Sequence, residues 1–175
     1  MKIFKSDLDS AEFAGYFENY IDKVSDLDLL EGLQKSYADF EDVVNEISIQ
    51  NKQLFKYDPI KWTIQDLILH MIDAERVFCY RALCISRNDK THFPGFDENL
   101  YVDFAEANKR TFESLVLEFK KVRENSVLLF ENFSENQLKK IGNASKNVIS
   151  VRAIGFIISG HTLHHIDIIK NRYLK

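Results

Sequence analysis

Apolar residues recur at alternating steps of three and four along four long segments of the chain, which is the period of an amphipathic α-helix. The only two prolines, Pro59 and Pro94, lie between these segments. In the first segment the apolar positions span roughly six helical turns. They are Leu30, Leu33, Tyr37, Phe40, Val44 and Ile47. The pattern predicts an all-α fold, a four-helix bundle in which each helix turns one apolar face towards a shared core.

Capping signals predict where two of the other helices begin. Thr63 and Asp66 have the spacing of a capping box, so the second helix is predicted to start at Thr63. Ser150 is a good N-cap for the fourth helix, which is predicted to end near Arg172 and Lys175. The third helix is predicted to run unbroken for about eight turns. Its apolar face carries Tyr101, Phe104, Ala105, Phe112, Leu115, Phe119 and Val122.

Long linkers distinguish this predicted bundle from a minimal one. They cover residues 49–61, 87–99 and 134–149, so helices that follow each other in the chain need not be neighbours in the bundle. Residues 1–18 form an N-terminal arm with enough apolar side chains to pack across the bundle but too few to add a core layer. The whole chain, residues 1–175, is expected to be a single domain.

Composition and charge narrow the class of protein. Hydrophobic residues make up 45% of the chain and charged residues 29%, as in an ordinary soluble domain. The net charge of −4, without a basic run, argues against nucleic-acid binding. Because the chain shows neither a signal-peptide pattern nor an apolar run of transmembrane length, a cytoplasmic protein without membrane contact is expected. Cys79 and Cys84 point in different directions from one helical segment, so reduced thiols are expected.

Two histidines interrupt the most apolar face of the fourth helix. His161 and His165 are four residues apart, roughly 40° from each other around the helix axis, so both rings can reach one metal ion. Many such pairs in helices bind nothing. This pair lies on a stripe with Ile154, Ile157 and Ile168, where buried imidazoles need partners that an apolar core does not supply. A metal ion would satisfy both rings.

Further candidate residues surround this pair. His70 in the second helix could supply a third nitrogen, or could simply hydrogen-bond to an oxygen at the edge of the core. Asp73 fits either as that partner or as the acceptor behind a metal-bound His70. His164 is expected at the rim of the site, beside the ligands. His92 could be a fourth ligand but is more simply explained as a solvated loop residue.

Polar residues on the predicted helices have more than one interpretation. Asn108 interrupts the apolar face of the third helix, so it either faces the site or bonds across helices and sets their register. Glu75, Arg76 and Arg81 follow His70 closely, but a solvated helix face explains all three charges. No role in catalysis is assigned to them.

Several short stretches occur in an order that is specific when they are taken together. They are Lys61-Trp62-Thr63, His70 with Asp73-Ala74-Glu75-Arg76, Pro94-Gly95-Phe96-Asp97, Gly160-His161-Thr162-Leu163-His164-His165 and Arg172-Tyr173-Leu174. On these stretches the chain resembles the DinB/YfiT-like superfamily of metal-binding helical bundles, from about residue 30 to its end. The resemblance implies a four-helix bundle that is often dimeric, so a homodimer is expected.

The resemblance also implies a metal site. His70, His161 and His165 stand in the places of the family's three metal ligands, and zinc or nickel is the implied ion. Three histidines leave a coordination position free, as in catalytic rather than structural zinc sites. A water or a thiol bound there would become a nucleophile.

Three functions remain open, and the resemblance implies the first two of them. Some relatives transfer a low-molecular-weight thiol such as bacillithiol or mycothiol, so the leading hypothesis is a metal-dependent thiol S-transferase that acts on a small electrophile. The first alternative is a metal-dependent hydrolase. The second is a non-catalytic, metal-stabilised bundle that binds a partner, and it is favoured by the lack of an evident general acid or base beside the histidines.

Overall fold

Helices dominate the computed structural model, which describes residues 2–175. They are α1 (Glu18–Ile21), α2 (Leu29–Gln50), α3 (Ile64–Ser86), α4 (Glu98–Ala105), α5 (Phe112–Glu131), α6 (Glu135–Leu138) and α7 (Val151–Ile168). α2 packs mainly against α5 and α7, and α3 packs against the same two helices. The predicted four-helix bundle is therefore confirmed. Within residues 2–175, none of the helices combines the length and the apolar character needed to cross a membrane.

Side-chain caps confirm the two predicted helix starts. The Thr63 hydroxyl accepts a hydrogen bond from the backbone N–H of Asp66 at 3.0 Å, and the Asp66 carboxylate accepts one from the Thr63 N–H at 2.9 Å. The Ser150 hydroxyl accepts from the N–H of Ala153 at 3.0 Å and starts α7. Beyond α7 the chain continues as a π-helical turn, Ile169–Tyr173, which brings helical backbone almost to the predicted end.

The prediction of one unbroken third helix is wrong. The chain leaves α4 through a left-handed conformation at Glu106 (φ 53°) and starts α5 behind Thr111, whose hydroxyl caps the new helix. The side-chain amide of Gln65 donates hydrogen bonds to the carbonyls of Ala107 and Arg110, at 3.0 and 3.2 Å. Because α3 thus satisfies carbonyls exposed by the break, an interruption is tolerated inside a segment whose apolar spacing continues on both sides.

Two of the predicted linkers contain strands. β1 (His92–Phe93) pairs in parallel with β2 (Ile141–Ala144), and β2 pairs antiparallel with β3 (Asn147–Ser150). Ser145 and Lys146, both with positive φ (52° and 66°), form the two-residue turn of the hairpin. Such short strands carry too few positions for an alternating pattern to be recognised in the sequence.

The N-terminal arm, which the structure extends through α1 to Ile21, packs against the bundle through its apolar residues. Ile3, Phe17 and Ile21 are buried, and α1 packs against α7. The backbone N–H of Leu29, at the start of α2, donates a hydrogen bond to the carbonyl of Ile3 at 2.8 Å. The arm therefore forms part of the wall around α7.

A buried ion pair joins α3 to α5 in the centre of the bundle. Glu75 was expected on a solvated face, but its side chain and that of Arg123 are each only 3% exposed. Arg123 donates two parallel hydrogen bonds to the Glu75 carboxylate, at 2.9 and 2.8 Å. The hydroxyl of Ser126 donates a third bond to the same carboxylate at 2.6 Å. The expectation for Glu75 is wrong because its partner lies 48 residues away, where no local pattern reveals it.

The same guanidinium also reaches the other two long helices. Arg123 donates to the Leu33 carbonyl at 2.6 Å and the Ser36 hydroxyl at 2.7 Å on α2, and to the Thr162 hydroxyl at 2.9 Å on α7. Every long helix of the bundle therefore contacts this one side chain. Since the charge is paired and several of its N–H groups are bonded, the arrangement is that of a tolerated buried ion pair.

Breaking this pair should strongly destabilise the protein. Glu75→Gln leaves the Arg123 charge buried without its counter-ion, so the free energy of unfolding should fall by about 3–5 kcal/mol in urea unfolding. Replacing both partners by apolar residues (Glu75→Leu with Arg123→Met) should cost less than the sum of the two single changes.

Lys121→Gln is the matched control, because Lys121 pairs with Glu124 on the exposed face of the same helix as Arg123. It should leave unfolding nearly unchanged. Equal effects of Glu75→Gln and Lys121→Gln would contradict the assigned importance of the buried pair.

Candidate metal centre

The imidazole rings of three histidines meet between α3 and α7. Nε2 of His161 lies 3.1 Å from Nε2 of His70 and 3.1 Å from Nε2 of His165. All three residues are buried, at 7–8% exposure, and one ring nitrogen of each lies within 4.8 Å of the others. These residues are called the three-histidine centre below.

Close packing holds α7 in the position that this centre requires. A Cβ atom on Gly160 would lie 1.9 Å from the carbonyl oxygen of Tyr20, so the backbone of the arm touches α7 directly beside His161. On the other side of His161, the hydroxyl of Thr162 accepts a hydrogen bond from Arg123 at 2.9 Å. The helix is therefore fixed against rotation by contacts on both neighbours of His161.

Burial keeps the three rings neutral at physiological pH. Desolvation lowers the pKa of His70 to about 4. It also lowers the pKa values of His161 and His165 well below the ordinary value of 6.5, and the other histidines of the site act in the same direction. Neutral imidazole is the form that binds metal ions. The centre is thus in its ligand form without first losing protons.

The two shortest nitrogen–nitrogen distances fit one shared divalent ion. Nitrogens bound to a common ion at about 2.0–2.1 Å, with angles of roughly 90–110°, lie about 2.8–3.4 Å apart, and the observed contacts of 3.1 Å fall in this range. Three imidazoles are a donor set that suits zinc and nickel. Nδ1 of His165 has no hydrogen-bond partner within the described chain, so the ring is oriented by its Nε2 contact and by packing.

A cavity of about 350 Å³ opens onto the centre. Its walls come from the arm, the segment before α3, α3 itself, the segment between α3 and α4, α4, the β2–β3 turn and α7. Besides the three histidines, the lining residues are Tyr16, Phe17, Tyr20, Trp62, Ala74, Phe78, Arg81, Phe96, Glu98, Ser145 and His164. The volume is at the lower end of the range for small-molecule sites.

Polar groups in this cavity can hold or move protons. Burial raises the pKa of Tyr20, with a smaller contribution from the Glu98 charge, so its hydroxyl stays protonated. Burial lowers the pKa of His164, which is half-buried and stacks edge-on against Tyr20 with 5.3 Å between ring centroids. The negative charge of Glu98 also favours the protonated form of His70. The sequence suggested no general acid or base here, because most of these groups come from the arm and α4.

Comparison with known proteins identifies the family. The sequence model of the DinB superfamily matches residues 32–169. The chain belongs to the DinB superfamily. The resemblance drawn from the short sequence stretches is therefore confirmed. No curated protein sequence matches the chain.

Among solved structures, this DinB-superfamily chain is similar to YfiT from Bacillus subtilis, described as a probable metal-dependent hydrolase with an unusual four-helix bundle topology. The TM-score is 0.69, the sequence identity is 15%, and the match covers 82% of each chain. At this identity the likeness concerns the fold, and it agrees with the bundle described above.

The other residues proposed from the sequence lie at different distances from the centre. His164 lines the cavity. Asp73 is half-buried, with Arg76 as its ion-pair partner at 3.8 Å rather than His70. Asn108 is exposed in the break before α5 and bonds to Thr63 and Asp66 at the start of α3, away from the cavity. His92 is exposed in β1, as expected for a solvated residue.

A larger groove of about 690 Å³ lies between α3 and α5, away from the histidines. Cys79 lies in it and bonds to the Ser126 hydroxyl at 3.1 Å. Burial raises the pKa of this thiol to about 12, so it is not a nucleophile at neutral pH. Cys79 and Cys84 are both free, as predicted.

Gly160→Ala should displace the arm from α7. The new methyl group meets the Tyr20 carbonyl, which is backbone and cannot rotate away, so the clash should outweigh the gain in helix propensity of about 1 kcal/mol. A lower melting temperature and faster proteolysis of the arm are expected. Gly15→Ala is the control on the same arm, because no atom lies within 4 Å of its new methyl group. Unchanged proteolysis in Gly160→Ala would contradict the close contact.

Acid should destabilise the metal-free protein through these rings. The pKa of His70 is about 4 in the folded state and about 6.5 when unfolded, so the unfolded chain binds more protons between these values. The contribution of the neutral rings to the free energy of unfolding is therefore fully present above about pH 6.5 and is lost as the pH falls towards 4. For His70 alone this loss is about 3 kcal/mol.

Urea unfolding of chelator-treated protein at several pH values measures this effect. His70→Gln should flatten the dependence, whereas His92→Gln, at an exposed position outside the cavity, should not. An identical pH dependence in wild type and His70→Gln would show that the ring is not held neutral by burial.

Proposed function

We propose that this protein is a metal-dependent enzyme whose three-histidine centre activates a nucleophile against a small electrophilic substrate. The proposal rests on one observation: three buried imidazole rings converge beside a cavity, with Nε2 of His161 3.1 Å from Nε2 of each of the other two. Zinc or nickel is the proposed ion, because neutral imidazole suits both. A bound ion would supply Lewis acidity and lower the pKa of a water or thiol that it binds.

The residues around the centre have separate proposed roles. His70, His161 and His165 hold the ion, and their neutral state at physiological pH avoids competition with protons. His164 accepts the proton that the nucleophile loses, since burial lowers its pKa and leaves it neutral. Tyr20 keeps its proton and can donate a hydrogen bond to negative charge that develops on the substrate.

Thiol transfer and hydrolysis are the two candidate reactions. Transfer of a low-molecular-weight thiol to an electrophilic carbon requires room for the thiol and its acceptor together. Hydrolysis requires only water beside the substrate, and it is supported by the similarity to YfiT, described as a probable metal-dependent hydrolase. The cavity of about 350 Å³ admits small partners only in either case.

Metal binding should depend on the three histidines. Purified wild-type protein should contain about one zinc or nickel ion per chain. His161→Ala should lose most of this metal and melt at a lower temperature, because one ligand in three is removed. His92→Ala is the matched control, since its side chain is exposed in β1. Elemental analysis that finds the same metal content in all three proteins would disprove the assigned ligands.

Activity assays then separate the two reactions. The metal-loaded protein is incubated with a model electrophile and a panel of thiols, and separately with ester and amide substrates without thiol. Thiol-dependent conjugation that chelator abolishes supports transfer, whereas chelator-sensitive cleavage without thiol supports hydrolysis. Metal content that follows the histidines without turnover on any substrate would instead indicate a metal-stabilised binding bundle.

A further inference from the structure

Arg81 lies on the same face of α3 as His70 and lines the same cavity. Ala74 and Phe78, between them along the helix, also line it, so this face of α3 forms one continuous wall. Arg81 was expected on a solvated face, but the residue is only 4% exposed. That expectation is wrong because the arm and the segment before α4 cover this part of α3.

The Arg81 residue is buried as a whole, and no counter-ion for its guanidinium occurs within residues 2–175. Among the described residues, its hydrogen-bond acceptor is the Pro94 carbonyl, which lies 2.7 Å from Nη2. The guanidinium carbon lies 5.8 Å from the centre of the Phe78 ring. No carboxylate within residues 2–175 approaches it to 4.0 Å. A guanidinium has five N–H donors, so most of its hydrogen-bonding capacity is left for another group.

The other well-buried guanidiniums of the described chain are paired. Arg123 bonds to Glu75 through two nitrogens, and Arg152 bonds to Glu12 in the same way, with one contact of 2.8 Å. A buried charge without a partner is unfavourable for folding. Desolvation accordingly lowers the pKa of Arg81. This exception occurs in the wall of the cavity that holds the three-histidine centre.

We propose that Arg81 binds a carboxylate group of the substrate and so orients it towards the three-histidine centre. The inference rests on the proposed function and adds the chemical class of the substrate. A guanidinium can bind a carboxylate through two parallel hydrogen bonds, and such a group would complete the missing ion pair.

The charges of the cavity favour a carboxylate over a more highly charged anion. Glu98 lines the same cavity, and its charge acts on His70 and Tyr20. The electrostatic potential in the cavity is therefore negative near the histidines and positive near Arg81. A substrate with one negative charge, placed away from its reacting end, fits this polarity, whereas a phosphate dianion would meet stronger repulsion from Glu98.

The distance between the two ends limits the length of the substrate. The Arg81 guanidinium carbon lies 5.8 Å from the Phe78 ring centre, which in turn lies 6.4 Å from that of His161. The two separations together equal at most the length of three or four residues of extended chain. The reacting atom and the carboxylate therefore belong to one small molecule, such as a short carboxylic acid with an electrophilic or hydrolysable far end.

Binding of simple probes to the metal-free protein, residues 1–175, tests the proposal. Butyrate, its uncharged isostere butyramide and inorganic phosphate are titrated separately, and the Nε–H resonance of Arg81 is followed by NMR. Butyrate should bind at least about tenfold more tightly than butyramide, should shift the Arg81 signal, and should bind more tightly than phosphate. Lack of a preference for butyrate over butyramide, or no shift of the Arg81 signal, would overturn the proposal.

Variants distinguish substrate binding from a structural role. Arg81→Met should remove the preference for butyrate without lowering the melting temperature, because a buried unpaired charge is lost. Arg81→Lys should retain part of the preference. Arg87→Met, which removes an exposed cation outside this cavity, is the control and should leave binding unchanged. A preserved preference in Arg81→Met, or equal loss in Arg87→Met, would contradict the assignment. If Arg81→Met does not fold, Arg81→Lys and the wild-type Nε–H signal decide.

The result does not depend on whether the protein binds metal. Butyrate binding at Arg81 in a protein that never takes up zinc or nickel would support the carboxylate site and reject the proposed metal-dependent function. A metal-loaded, active protein without a preference for butyrate would support the metal-dependent function and reject the carboxylate site.

Discussion

Arg123 and Glu75 form an ion pair in the middle of the bundle, and all four long helices contact it through Arg123 or its partner. The pair lies beside the three-histidine centre, because Thr162, which accepts a hydrogen bond from Arg123, is adjacent to His161 in α7. The charge of Arg123 also contributes to the low pKa of His161. The interaction that sets how the helices pack is thus coupled to the position and the charge state of the candidate ligands.

Buried charged groups have different bonding partners in the core and in the cavity. In the core, Arg123 has a carboxylate and several neutral acceptors. In the cavity, the hydrogen-bond partner of Arg81 within residues 2–175 is one carbonyl, and the histidines are neutral because burial disfavours their protonated forms. A fully paired charge contributes to a unique packing, whereas an unpaired one is unfavourable unless a ligand compensates it. The proposed substrate and metal sites are both places where the protein alone leaves polar groups incompletely satisfied.

Local sequence patterns predicted the features that depend on helical period and capping. The bundle, the starts of α3 and α7, and the grouping of His161 with His165 all follow from spacings within one helix. The break at Glu106 could not be predicted in this way, because the apolar spacing continues across it. Gln65, whose side chain bonds to the carbonyls exposed by the break, lies on another helix. Glu75 and Arg81 looked like surface charges because their burial depends on segments distant in sequence. The arm's contribution to the cavity was hidden for the same reason.

The central claim is that His70, His161 and His165 bind one divalent ion together. Anomalous diffraction at the zinc edge, from crystals grown with zinc, tests it most directly. One strong peak is expected at about 2.0–2.1 Å from Nε2 of all three histidines. A zinc peak held by other residues, with none between these three rings, would contradict it.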